Sequence, residues 1–430
     1  MTRIFLTVCL LTSLLLSMAC VQKGGNTTTA PTGDTIRVGV YGDTSGGTSS
    51  FGLSTKNGIQ LAFDEINAAG GVGGKKLEMV FEDDQGTPEK AKTVISKLIN
   101  QDKVVAVLGE VASSNSLAAA PVAQEAKIPM ITPSSTNPKV TEVGDYISRV
   151  CFIDPFQGSV MAKFAANTLK AKTAAILGDN SSDYSKGLTQ FFEQEFTKLG
   201  GTVITKQTYA QRDQDFKAQL TQMRDQKPDV IYVPGYYGEV GIIAKQAREL
   251  GMTQPLLGGD GWDSPELWKL GGAALNPAYI SNHYSADNPA AEIQNFVKAY
   301  TAKFNVAPDS LAALAYDSAK VLADAIKRAG GTDSAKLKDA INATKNFAGV
   351  TGTITLDGSR NAVKSAVVLK LDPANSKFTF QETIYPEGMT PPATTGAANS
   401  ATTNSTTNST TNSTATTNTN PANSSAANTK

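Results

Sequence analysis

The sequence has 430 residues, with 39 basic and 39 acidic side chains, and its formal net charge is zero. This balance excludes the strongly basic surface on which nucleic-acid binding depends, so no nucleic-acid partner is expected. Three cysteines are present. Cys9 lies in an N-terminal apolar stretch, Cys20 follows that stretch, and Cys151 is alone in an apolar segment. Cys151 therefore has no intrachain disulfide partner in the mature chain, and we expect it to be a small buried side chain.

The N-terminus has the pattern of a secretory signal. Arg3 precedes an almost wholly apolar stretch, residues 4–19. This stretch is shorter than the roughly 20 residues that span a bilayer comfortably. We therefore predict a signal peptide over residues 1–19 and a location outside the cytoplasm.

The end of this stretch points to a lipid anchor. The run Ser17-Met18-Ala19-Cys20 resembles a bacterial lipobox, which makes Cys20 the predicted lipid attachment site. The polar residues 20–33 then form a tether, and the protein is held at the membrane, in the periplasm or at the cell surface. The alternative is ordinary cleavage after Ala19 without lipidation.

Strands and helices alternate through the first part of the core. A strand is predicted over residues 36–41, and a helix follows it, because apolar residues recur there at helical spacing. A second strand covers 77–82, a helix enters through Pro88, and a third strand covers 104–108. The residues that mark the first helix are Ile59, Ala62, Phe63 and Ile66.

A second series of the same kind begins near Thr173. It comprises a strand over 174–177, a helix over 188–199, a strand over 202–208, a helix over 216–223 and a strand over 230–233. Strands that alternate with helices of this length indicate parallel sheets covered on both faces. Two series predict an α/β protein with two doubly wound parallel-sheet lobes.

The C-terminal segment has a different composition. After Met389 there is no large apolar side chain, and Thr, Asn, Ser and Ala dominate up to Lys430. Such a segment cannot bury enough surface to offset its chain entropy. We therefore predict a disordered tail over residues 388–430 that acts as a solvated spacer.

The loops that follow the strands are candidate binding loops, because ligands bind beyond the carboxyl ends of strands in open α/β sheets. Residues 109–115 and 132–136 are rich in hydroxyl groups, which either cap a helix or bind a carboxylate. Asp260 lies among three glycines after Leu257. It is either part of a plain turn or an anion that meets an ammonium group.

Several motifs carry a family resemblance. They are residues 58–74 with Leu77 and Asp83-Asp84, Gly109 with Ser113-Ser114, residues 129–136, Tyr184 before Gly187, Gly235-Tyr236 and Gln246-Ala247-Arg248. In this order the sequence resembles the leucine/isoleucine/valine-binding protein family of ABC transporters. The resemblance covers residues 35–387 and implies a type I periplasmic binding fold with three crossovers. It implies that lobe 1 covers 34–154 and 284–361, and that lobe 2 covers 155–283 and 362–387.

The resemblance also implies a ligand site between the lobes. Ser113 and Thr136 match residues that hold the ligand carboxylate, and Ser134 matches one whose backbone contacts the amino acid. Asp260 stands where the family often has Glu, which holds the ammonium group. Tyr184 and Tyr236 match aromatic residues of the second lobe, and Phe51 matches one that lines the side-chain pocket.

The resemblance implies binding of a branched-chain amino acid by hinge closure and its delivery to a membrane permease. No cofactor is expected, and the protein is expected to be a monomer. Sensing by the same fold is an alternative, as is an amide, urea or aromatic acid as the ligand. Catalysis is not expected, because His283 is the single histidine and no G-x-S-x-G motif is present.

Other residues near these loops leave alternatives open. Glu110 and Asp43 either point into the pocket, where they would fit a purely aliphatic ligand poorly, or lie on its rim, solvated or paired; the rim is the prediction. Trp262 is predicted either to narrow the pocket or to rest on the lobe surface. His283 is predicted to be a structural or rim residue in a crossover.

Overall fold

The structure is a computed structural model that describes residues 35–389. The predicted signal peptide, Cys20 with its tether, and the predicted tail from residue 390 onward lie outside the described residues. Within residues 35–389, none of the helices combines the length and apolar character needed to cross a membrane.

The first sheet is wholly parallel. Its strands are β1 (Thr35–Gly42), β2 (Lys76–Asp83), β3 (Val107–Leu108), β4 (Met130–Thr132) and β5 (Ile147–Arg149). They pair in the order β2-β1-β3-β4-β5. The third strand is shorter than the predicted 104–108, because only Val107 and Leu108 pair with both β1 and β4, while the Val104 amide bonds to the Leu98 carbonyl at 3.2 Å.

The second sheet has a parallel part and an antiparallel edge. Its parallel strands are β6 (Thr173–Asp179), β7 (Thr202–Tyr209), β8 (Val230–Tyr232), β9 (Leu256–Gly258) and β10 (Ala278–Asn282). The later strands are β11 (Phe347–Gly349) and β12 (Gly352–Ile354), which form a separate hairpin, and β13 (Ala366–Asp372) and β14 (Lys377–Ile384). The last two join the second sheet antiparallel beside β10. The sequence predicted parallel sheets, and this antiparallel edge is an addition that it did not predict.

Helices flank both sheets. In chain order they are α1 (Ser49–Ala68), α2 (Pro88–Asn100), α3 (Ser113–Ala126), α4 (Lys139–Glu142), α5 (Asp154–Lys163), α6 (Asp183–Lys198), α7 (Lys217–Gln226), α8 (Tyr237–Glu249), α9 (Pro265–Gly271), α10 (Ala291–Phe304), α11 (Ser310–Ala329) and α12 (Ser334–Asn342). We call the first sheet with α1–α4 and α10–α12 lobe 1, and the second sheet with α5–α9 lobe 2.

Strand β1 shows why the sheets are covered on both faces. Val38 and Val40 are fully buried in a cluster that includes Ile59 of α1 and Leu314 of α11. Tyr41 points to the other face and packs in a cluster with residues of α2 and α3. Strands buried on two faces read as continuous apolar runs, which is the pattern of this segment.

Three connections join the lobes. The first crossover leads from β5 to α5, the second from β10 to α10, and the third from β12 to β13. Each lobe is thus built from separate parts of the chain. The predicted fold class, two α/β lobes joined by three crossovers, is confirmed.

Candidate functional site

Asp260 is the central charged residue between the lobes. It follows β9, begins a short turn, Asp260–Trp262, and is 3% exposed. Gln157 Nε2 and the Tyr184 hydroxyl donate to its Oδ1 at 2.7 and 2.8 Å, and His283 Nε2 lies 2.9 Å from its Oδ2. A carboxylate accepts about four hydrogen bonds, so at least one acceptor position remains for a ligand.

The glycines on either side of Asp260 allow this close packing. A Cβ on Gly259 would lie 2.5 Å from the Tyr184 hydroxyl, and one on Gly261 would lie 2.9 Å from the Tyr236 ring. Any larger residue would push these aromatic side chains away. The two glycines therefore allow the turn that carries Asp260 to lie close to Tyr184 and Tyr236.

The neighbours of Asp260 decide its charge. Burial by itself would raise the pKa of Asp260, but His283, Gln157 and Tyr184 hold that pKa below its ordinary value. Burial also lowers the pKa of His283, against the attraction of Asp260. Burial thus favours the neutral form of the His283 ring, and the ring stabilises the carboxylate chiefly through its hydrogen bond.

Aromatic rings from both lobes meet beside Asp260. Tyr184, in the first turn of α6, stacks on Tyr236, with ring centroids 5.2 Å apart and planes 9° apart. Phe51 of α1 meets Tyr236 edge-on at 5.6 Å and Tyr237 edge-on at 5.0 Å. An apolar wall thus extends across the cleft from lobe 2 to lobe 1.

Hydroxyl groups of lobe 1 form the other side. Ser134 and Thr136 follow β4, and Ser113 is the first residue of α3. The Ser134 Oγ and Thr136 Oγ1 atoms are buried and have no hydrogen-bond partner among residues 35–389. Ser113 Oγ accepts from the Asn137 amide at 3.2 Å. Because buried polar atoms are normally paired, the two unpaired hydroxyls are candidates for ligand contacts.

Arg149 holds this hydroxyl-bearing turn in place. Its guanidinium is fully buried and donates to the carbonyl oxygens of Ser135, Asn137 and Pro138, and to the Thr141 hydroxyl. Five donors in a fixed fork suit this task. Arg149 therefore holds the turn through its carbonyl oxygens, on the side that faces away from the cleft.

A small cavity lies where these parts meet. It is lined by Phe51, Val111, Ser134, Tyr184, Tyr236, Asp260, Gly261 and Leu311, and its volume is about 10 Å³. That is room for about one water molecule, so the surrounding side chains must separate to admit a larger ligand. The larger surface cavities, of up to about 800 Å³, contain none of the predicted site residues.

The comparisons with known proteins agree with this architecture. The model of the periplasmic binding protein family matches residues 35–373. The chain belongs to the periplasmic binding protein family. An amino acid binding protein of Pseudomonas aeruginosa is 34% identical over 305 residues, covering 70% of this chain and 80% of the relative.

Two solved structures resemble this periplasmic binding protein over 82% of its chain and the whole of theirs. A leucine binding protein from Thermotoga maritima is 42% identical, with a TM-score of 0.78. A branched-chain amino acid transporter substrate binding protein from Streptococcus pneumoniae, in complex with isoleucine, is 36% identical, with a TM-score of 0.77. The predicted family is therefore confirmed.

The structure of this binding protein brings five predicted site residues to one cavity, namely Phe51, Ser134, Tyr184, Tyr236 and Asp260. Ser113 and Thr136 do not line it, although both are buried in lobe 1. Val111 and Leu311 line it and were not predicted. An apolar residue in the loop after β3 was the one available signal for Val111, and the sequence offered no comparable signal for Leu311.

Of the two alternatives predicted for His283, a structural residue in the crossover fits and a rim residue does not, because its side chain is fully buried against Asp260. The prediction for Trp262 is wrong. Trp262 neither lines the cavity nor rests on the surface. It is fully buried, and its indole Nε1 donates to the Val233 carbonyl at 3.0 Å.

The rim prediction for Glu110 and Asp43 is also wrong. Both are buried at the carboxyl ends of the lobe 1 strands, together with Asp84. Burial, followed by the charge of Asp84, raises the pKa of Glu110 well above its ordinary value. Asp43 instead accepts hydrogen bonds from the Thr48 amide at 2.7 Å and the Thr48 hydroxyl at 2.8 Å. These acids stabilise local turns and do not line the cavity.

Residues 35–389 contain no group of three or more His, Cys, Asp or Glu side chains arranged to hold a metal ion. The polar groups that face the cavity are one carboxylate, hydroxyls and aromatic rings. This set suits an organic ligand that carries both a cationic and an anionic group.

Proposed function

We propose that this periplasmic binding protein is the substrate-binding component of an ABC transporter and binds a branched-chain amino acid between its lobes. The observation that carries the proposal is the buried, negatively charged Asp260 beside an aromatic wall and opposite unpaired hydroxyls. The relatives named for amino acid, leucine and isoleucine binding support the same ligand class.

Each part of such a ligand has a counterpart. The ammonium group binds to the free acceptor position of Asp260, because a buried charge requires an opposite charge or hydrogen bonds. The carboxylate binds to the hydroxyls of Ser134 and Thr136 and to Ser113 at the N-terminus of α3, where helix amides favour an anion. The aliphatic side chain packs against Phe51, Val111 and Leu311.

Capture and delivery follow from the two-lobed architecture. The lobes separate to admit the ligand and close around it by bending at the three crossovers. The closed form is then presented to a membrane permease. The protein acts outside the cytoplasm as a monomer, and a lipid on Cys20 keeps it at the membrane surface.

Calorimetric titration of the full-length protein, refolded from denaturant to remove carried-over ligand, tests the ligand class. We expect one-to-one binding of leucine, isoleucine or valine. Asp260→Asn should weaken that binding by about 30-fold or more, because loss of one partner of a buried charge pair costs roughly 2–5 kcal/mol.

Asp317→Asn is the matched control. Asp317 is also buried and also accepts hydrogen bonds, from the Val350 and Thr351 amides at 2.9 Å, but it does not line the cavity. It should leave the ligand Kd unchanged. Binding of benzoate in place of every amino acid would contradict the proposal, since Asp260 repels a ligand whose single charge is negative.

A further inference from the structure

His283 is buried where two crossovers meet the site. It directly follows β10, at the start of the second crossover, and its side chain has no solvent exposure. The imidazole stacks on Phe152 of the first crossover, with ring centroids 3.8 Å apart and planes 20° apart. Phe152 packs against the face of the ring and Asp260 contacts its Nε2 atom, so the ring is held in one orientation.

The contacts of the ring assign its proton. Nε2 lies 2.9 Å from Asp260 Oδ2, whereas the buried Nδ1 has no hydrogen-bond partner among residues 35–389. Asp260 is a carboxylate, so Nε2 must be the donor. The charged groups that act on the ring are Asp260 and Lys364, and burial outweighs the attraction of Asp260. The ring is thus the neutral Nε2–H tautomer near pH 7.

The donors to Asp260 are divided between its two oxygens. Gln157 and Tyr184 both donate to Oδ1, and His283 is the donor to Oδ2. A neutral donor fixes the carboxylate without cancelling its charge, so an ammonium group still meets a full negative charge. His283 itself does not line the cavity and acts on a ligand through Asp260.

We propose that His283 is a positioning residue that orients the Asp260 carboxylate, and that it thereby sets the preference for a ligand with an ammonium group over the same carboxylic acid without one. This inference rests on the proposed amino acid ligand. Its specific consequence is that removal of the imidazole donor lowers affinity for the amino acid more than affinity for the deaminated analogue.

The test compares leucine with 4-methylpentanoate, which is leucine without its amino group. Both are titrated calorimetrically into the full-length wild-type protein, His283→Leu and His283→Gln. His283→Leu removes the donor and keeps an apolar side chain, and we expect it to reduce the preference for leucine by about ten-fold or more. His283→Gln keeps a neutral donor and should retain most of the preference.

Three outcomes separate the possibilities. An unchanged preference in His283→Leu, or equal weakening of both ligands, would overturn the positioning role and leave His283 as packing. Wild-type protein that binds leucine without preferring it over 4-methylpentanoate would overturn the inference but not amino acid binding. Wild-type protein that binds neither would overturn the proposed function, and the inference with it.

A second measurement does not depend on the stability of the variants. His283 is the single histidine of the sequence, so ¹⁵N-histidine labelling of an untagged protein gives the two ring nitrogen signals of one imidazole. The neutral Nε2–H tautomer, with a proton signal shifted downfield by the carboxylate, supports the proposal. The Nδ1–H tautomer would overturn it.

Discussion

Buried polar side chains in lobe 1 fall into two groups, according to whether their hydrogen bonds are complete. Asp317 belongs to the first group, because its two oxygens accept from the backbone amides of Val350 and Thr351. Ser134 and Thr136 belong to the second, because their hydroxyls have no partner among residues 35–389. Side chains of the first group stabilise the fold, whereas a buried hydroxyl of the second carries a desolvation cost that a hydrogen-bonding ligand would relieve.

Cys151 is an example of a reactive group that the fold makes inert. Its side chain is fully buried, and its Sγ lies 3.4 Å from the Ser135 carbonyl oxygen. Burial raises the pKa of the Cys151 thiol to about 12. The expectation of a small buried side chain is therefore confirmed.

We predict that the native Cys151 thiol does not react with a thiol reagent at pH 8, because thiolate and access are both lacking. The measurement is the absorbance change with a disulfide reagent on a chain that begins at Thr35, in which Cys151 is the single cysteine. One thiol should react in guanidinium chloride and none in buffer. Equal rates under both conditions would contradict the prediction.

At the scale of elements, the carboxyl ends of β1, β2 and β3 collect three buried acids, Asp43, Asp84 and Glu110. The pKa of Asp84 is raised to about 7, chiefly by burial, against the Gly86 hydrogen bond and with smaller contributions from the charges of Asp43 and Asp83. The folded protein therefore holds a proton on Asp84 that the unfolded chain releases near pH 4. Its contribution to stability is fully present below that pH and is lost as the pH rises to about 7.

Asp84→Asn should remove this loss. We predict that, relative to wild type, the variant gains free energy of unfolding between pH 5 and pH 8, by at most roughly 1.4 kcal/mol for each pH unit. Urea unfolding at the two pH values measures this difference.

Asp83→Asn is the control, because Asp83 behaves in the opposite way. Burial would raise its pKa, but the hydrogen bonds from Ser45, Thr44 and Gln85 lower it. Its contribution is present at neutral pH and lost in acid, so this variant should be less stable than wild type at pH 8. A gain for both variants would point to general charge repulsion instead.

The same elements show which features of the fold and the site can be predicted from the sequence. Residue periodicity predicted β1, β2 and β6 closely, because helix and strand spacings are local properties. The antiparallel addition of β13 and β14 could not be predicted in this way, since it depends on which sheet edge remains free after the third crossover. Asp260 and Tyr184 could be predicted from strand ends and family resemblance. The contacts of Asp260 with Gln157 and His283 join residues 103 and 23 positions apart, and no local pattern records them.

At the scale of the whole molecule, hydrogen bonds join the lobes on both sides of the cavity. On one side, the Ser114 hydroxyl of lobe 1 donates to Asp183 Oδ2 at 2.9 Å and accepts from the Asp183 amide at 3.0 Å. On the other, the Ser264 hydroxyl of lobe 2 donates to Ser50 at 2.9 Å. Each such bond contributes about 1 kcal/mol, which is comparable to the free energy that separates open and closed forms.

Ser114→Ala should therefore shift the ligand-free protein toward the open form. We predict a larger radius of gyration by X-ray scattering and an apparent Kd raised by up to about ten-fold, because closure around the ligand no longer gains these hydrogen bonds. Ser181→Ala is the control, since Ser181 bonds to Asp179 within lobe 2. Saturating ligand should restore the compact form of Ser114→Ala, and a variant that stays extended would contradict this account.

The described chain enters through lobe 1 and leaves through lobe 2. The first strand, β1, lies inside the lobe 1 sheet, whereas the last strand, β14, is the outer edge of the lobe 2 sheet. If the chain is attached to a surface ahead of Thr35, lobe 1 is therefore the lobe next to the attachment point, and lobe 2 moves relative to it. A probe near Ile384 would then report each ligand binding and release as a change in the distance between lobe 2 and that surface.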